Sequence, residues 1–143
     1  MLINCIYLKQ QGIKMESAKV KYFTPEEARK TLPYVKSIVR DILDCGMLVR
    51  GISESHRGKI DGHDEAESLM NKINKYLKEL EDIGCFYKDW NFTVGLVDFP
   101  SVIDSEEVLL CWRSDEEDIK YYHSIGDGYA GRKKIPNEYL NLN

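Results

Sequence analysis

At Gly84 the hydrophobic period of the chain changes, and this change constrains the fold more than any other feature. Before it, apolar residues recur at helical spacing. Ala28, Leu32, Val35, Val39, Ile42 and Val49 make one stripe, widened by Ile38 and Leu43, and Ala66, Leu69, Met70, Ile73, Tyr76, Leu77, Leu80 and Ile83 make a second. After it come short runs rich in β-branched and aromatic residues: Cys85 to Lys88, Thr93 to Phe99, Val108 to Arg113 and Ile119 to His123. Two long helices followed by short strands predict an α+β fold. The expected form is a long antiparallel helical hairpin packed with a small antiparallel β-sheet of three to four strands.

The helix ends are marked locally. Thr24-Pro25-Glu26-Glu27 combines an N-cap, a proline at the first helical position and a glutamate three residues after the cap. Pro33 removes one ladder hydrogen bond, so a kink or break is expected after two turns. Asp64 with Glu67 reads as the second cap, and Gly84 as the stop. The helices are thus expected at about 25–52 and 64–83, with a polar loop from Ser53 to His63. Val20 to Phe23 could add an edge strand. The sheet is expected over about 85–124, with one turn marked by Pro100 and Asp104-Ser105 together and another over Ser114 to Asp118. A glycine-rich loop spans 126–132, and the tail over 136–143 is expected to fray.

With 143 residues the chain makes one ordinary domain, placed at 19–135. Residues 1–18 read as a flexible N-terminal extension, with Met15 as well as Met1 a candidate start. A net charge of -4 argues against a nucleic-acid backbone as partner. No apolar run approaches the roughly 20 residues of a membrane span. Cys5, Cys45, Cys85 and Cys111 are scattered, which suits a reducing cytoplasm and forms no zinc-knuckle spacing.

Several fragments recur in one order: Phe23-Thr24-Pro25-Glu26-Glu27-Ala28 with Leu32-Pro33, Lys88-Asp89, Gly95-Leu96-Val97-Asp98-Phe99-Pro100, Val108-Leu109-Leu110-Cys111-Trp112-Arg113, His123, and Gly126-Asp127-Gly128-Tyr129-Ala130-Gly131-Arg132. Together they resemble the prokaryotic domain-of-unknown-function family 2203 across roughly residues 20–135. The resemblance implies a bacterial or archaeal cytosolic protein and brings no activity with it. Gly126 departs from the pattern, which has a bulkier apolar residue there.

Three constellations carry possible chemistry. If Val108–Arg113 and Ile119–His123 pair in an even register, Leu109, Cys111 and Arg113 share a face with Tyr121 and His123. That set could hold an anion or a metal ion, with Cys111 and His123 as ligands. The plainer alternative is a core cysteine and a histidine bonded to a backbone carbonyl. Asp98 is unusual in a strand and could be a base or a ligand, or could cap the Phe99-Pro100 turn or pair with Arg113 or Arg132. The loop around Asp127, followed by Arg132-Lys133-Lys134, could form an anion nest or an ordinary turn. His56 and His63 fit no helix-borne metal spacing.

Two functions follow. One is a non-catalytic binding or assembly module, a homo-oligomer or protein-binding surface built on the helical hairpin. The other is a small-ligand site, for an anion or a metal or an enzyme's substrate, built from Asp98, Arg113, His123, Asp127 and Arg132. No cofactor can be named from either.

Overall fold

The computed structural model describes residues 20–140. The extension read at residues 1–18 lies outside them. The order is α1 (Pro25–Ser55), α2 (Asp64–Ile83), β1 (Phe86–Tyr87), β2 (Leu96–Ile103), β3 (Glu106–Arg113), β4 (Tyr121–Ser124), a 3-10 turn (Tyr129–Gly131), β5 (Lys133–Lys134) and α3 (Asn137–Leu140). The five strands form one antiparallel sheet in the order β1-β2-β3-β4-β5. That is one strand more than the sequence suggested. The added pieces at its edges are two residues long, too short to carry a periodic signal.

Local chemistry explains the helix ends. Thr24 and Glu27 exchange the two hydrogen bonds of a capping box, at 3.1 and 3.2 Å. Pro33 does not break α1, which runs through it without interruption. Its ring lies on the exposed side, so the carbonyl left without a ladder partner can be hydrated. The cap of α2 is His63 rather than Asp64: His63 Nδ1 accepts from the Ala66 amide at 3.2 Å, and Asp64 is the first helical residue. Gly84 ends α2 with φ 110°, a left-handed conformation that suits glycine.

Strand parity separates the two faces of the sheet. Val97, Phe99 and Ile103 of β2 and Val108, Leu110 and Trp112 of β3 join the core with Leu32, Val35, Val39 and Ile42 of α1 and Leu69, Ile73, Leu77 and Leu80 of α2. The opposite face carries Phe86, Leu96, Asp98, Pro100, Leu109, Cys111, Arg113, Tyr121 and His123. The hairpin of β2 and β3 turns at Asp104 and Ser105, both with positive φ as a tight primed turn demands.

Pro100 marks no turn, because β2 continues through it to Ile103. Its carbonyl accepts from Phe23 N at 2.7 Å, so this residue's polar side faces away from β3 and the ladder loses nothing. Val20 to Phe23 is thereby docked by that bond, without forming a strand. The start of the expected frayed tail makes the short helix α3, with Leu140 buried and its carbonyl bonded to Arg29 at 3.0 Å.

Candidate functional site

The polar residues of the sheet converge on the face turned away from the helices. The tight turn at Asp104-Ser105 sets Asp98 directly opposite Cys111. The pairing of β3 with β4 sets Leu109 opposite His123 and Cys111 opposite Tyr121, which is the even register. Asp98, Cys111 and His123 therefore lie on three adjacent strands and one face. They are 3, 0 and 2% exposed.

The side chains meet. His123 Nε2 stands 3.3 Å from Asp98 Oδ1, while His123 Nδ1 contacts the Ser124 carbonyl at 2.8 Å. One ligand atom from each of Asp98, Cys111 and His123 lies within 4.8 Å of the others, so these three could hold a metal ion. Burial works against a charge on His123, but the hydrogen bond and charge of Asp98, with the Ser124 carbonyl, outweigh it and raise its pKa above the ordinary value. Burial, with the charge of Asp98, pushes the Cys111 thiol up to about 12.

Asp98 and His123 form the floor of a cleft of about 370 Å³. Its walls include Lys88, Leu96, Leu109 and the loop from Ile125 to Tyr129. Asp127 lies on the exposed rim, packed so closely on Gly131 that a Cβ there would come within 2.5 Å of the Asp127 Cβ.

The two arginines are not in the cleft lining. Arg132 Nη2 donates to Glu116 Oε1 at 2.6 Å and to the Cys111 carbonyl at 3.0 Å. Its guanidinium lies over the rings of Tyr121 and Tyr129, at 4.2 and 4.8 Å. Arg113 donates to the Tyr129 hydroxyl at 2.8 Å and faces Asp115 at 3.2 Å. Asp98 pairs with neither arginine, because both are claimed by nearer acceptors, and it caps no turn at Phe99-Pro100. The glycine-rich loop is a poor anion nest: Asp127, Gly131 and Arg132 N–H groups already donate to carbonyls of Ser124, Gly128 and Tyr129. His56 and His63 stand edge to face with ring centres 4.7 Å apart, beside the start of α2.

Lys88, Glu116 and Tyr129 are site residues that the sequence reading passed over. Lys88 had a signal: its amide donates to the Leu96 carbonyl at 2.8 Å, so the alternation from Phe86 puts it on the face of Asp98. Glu116 sits in a loop and had none; Tyr129, in the 3-10 turn, entered the sequence reading only within the block from Gly126 to Arg132.

The model of domain-of-unknown-function family 2203, an uncharacterized conserved protein, matches residues 21–135. The chain belongs to this family. The match spans all of the strands and both long helices, so the cleft lies wholly within the family's domain. No curated protein and no solved structure matches the chain. Among the described residues no helix is long and apolar enough to cross a membrane.

Proposed function

We propose that the cleft over Asp98 and His123 binds a small molecule bearing an anionic group, such as a carboxylate or a phosphate. The observation that carries this reading is the buried Asp98–His123 pair on the floor of a cleft. Burying such a pair gains little stability, since well-packed apolar residues commonly serve as well or better. A sheet selected for stability alone has no need of it. Lys88 supports the anionic class, because it lines the cleft and makes no ion pair among the described residues.

Assembly through the helical hairpin has less support. The apolar stripes of α1 and α2 are covered within the chain, and Tyr34, Met47 and Leu48 are the large apolar side chains that the hairpin exposes. Titration of isotope-labelled protein with acetate and with inorganic phosphate, followed by amide NMR, tests the cleft. Shifts confined to Lys88, His123 and Gly126 to Tyr129, and abolished by Lys88→Ala, are expected. No saturating shift with either anion in the millimolar range would overturn the reading.

A further inference from the structure

The orientation of His123 poses a problem of lone pairs. Its Nδ1 lies 2.8 Å from the Ser124 carbonyl oxygen, which can only accept, so Nδ1 carries a hydrogen. In the neutral ring, Nε2 then presents a lone pair. That lone pair faces Asp98 Oδ1, a second acceptor, at 3.3 Å in a buried place. Two facing acceptors repel unless a cation lies between them, and the cation is either a proton or a metal ion.

A metal ion fits the separation. A charge-assisted hydrogen bond between imidazolium and carboxylate would draw the atoms to about 2.7–2.9 Å. Nitrogen and oxygen ligands about 2.0–2.2 Å from one tetrahedral ion stand about 3.3–3.4 Å apart. The observed distance is 3.3 Å. Cys111 supplies a third donor from the strand between them, with all the ligand atoms inside 4.8 Å of each other. Tetrahedral spacing puts sulfur about 3.5 Å from the other donors, so the sulfur closes by at most about 1.3 Å, a movement within one side-chain rotation.

We infer that Asp98, Cys111 and His123 form a mononuclear centre for a divalent ion of the zinc class, with the fourth coordination position open to the cleft. Thiolate and imidazole select such an ion over magnesium or calcium, which take oxygen ligands. A divalent ion with one carboxylate, one thiolate and a neutral imidazole leaves the finished buried site with no net charge. Coordination sends the Cys111 thiol proton to solvent, with any proton on His123 Nε2, and each donor gives its electron pair to the metal. The Ser124 carbonyl acts as the outer partner that fixes the imidazole tautomer. Arg132, bonded to the Cys111 carbonyl, places a positive charge where it favours the thiolate. Asp98 and His123 line the cleft and Cys111 does not, so the side of the centre without a protein ligand faces the cleft. The inference rests on the anion-cleft reading for that last point alone.

Cobalt(II) and zinc(II) added to the full-length chain test it. Expected are one ion per chain by elemental analysis and a thiolate-to-cobalt charge-transfer absorption. Cys111→Ser should abolish that absorption, whereas Cys45→Ser should retain it. His123→Gln should weaken zinc binding by more than the roughly 10–100-fold typical of outer-sphere changes. Folded wild-type protein that takes up neither ion at micromolar concentration would overturn the centre, as would a charge-transfer band that survives Cys111→Ser. The two readings separate cleanly. Lys88→Ala should still load metal, at least as tightly as the wild type because a neighbouring cation is gone; metal loading without any anion shift sinks the cleft reading alone, and anion shifts without metal sink the centre alone.

Discussion

The two faces of this sheet are built from the same strands and carry opposite chemistry. Toward the helices, Val97, Phe99, Leu110 and Trp112 pack into one apolar layer. Away from them, Asp98 and Cys111 alternate with those residues along the same strands, His123 joins them from β4, and all three are just as buried. The first face accounts for itself, because its burial drives folding. The second sets a carboxylate and an imidazole where apolar groups would fold as well. The contrast teaches that burial alone does not separate packing from function; the kind of group buried does.

The largest expected effect is on the packing face. Phe99 is fully buried, edge to face with Phe23 at 5.4 Å between ring centres. Phe99→Ala should cost about 3–5 kcal/mol in chemical denaturation. Ligand binding by the molecules that remain folded should be unchanged.

Asp98→Ala should cost a comparable amount, about 3–5 kcal/mol, by another route, since it leaves His123 without its buried partner. Unlike Phe99→Ala, it should also abolish metal uptake. Arg132→Ala comes next, with about 2–3 kcal/mol lost from its bonds to Glu116 and the Cys111 carbonyl. Arg132→Lys should recover little of it, because an ammonium cannot both stack between two tyrosines and reach both acceptors.

Acid should act away from both faces and more weakly. Burial works against the charge of Asp118, but Arg29 and the Ile119 amide hold its carboxyl below the usual value. Burial likewise opposes Asp89, and the amides of Val94, Thr93 and Asn91 overcome it. Both groups therefore stabilise the fold above the unfolded value of about 3.9. That contribution drains as pH falls through their lower folded values. A melting-temperature series from pH 6 downward should show the fall, reduced in Asp118→Asn.

Much of this was legible in the sequence, wherever the signal was local. The capping box at Thr24, the helical stripes and the stop at Gly84 each need only a few neighbouring residues. The turn residues of the β2–β3 hairpin were legible too, but they read as one turn with Pro100, which left the register open. A two-residue turn at Asp104-Ser105 puts Ile103 opposite Glu106, and five steps outward put Asp98 opposite Cys111. The β3–β4 register was not legible either, because the connection over 114–120 is too long to fix it, and so the approach of His123 to Asp98 needed coordinates. The capture of both arginines also escaped the sequence, since Glu116 and Tyr129 reach them from a loop and the 3-10 turn.

The most direct measurement is the unfolding free energy of the double variant Asp98→Leu with His123→Phe, in metal-free buffer. If the pair serves a ligand and not the fold, apolar replacements should leave stability within about 1 kcal/mol of wild type, or raise it, while metal binding disappears. A loss as large as that of Phe99→Ala would contradict this, and would make the buried pair part of what holds the sheet together.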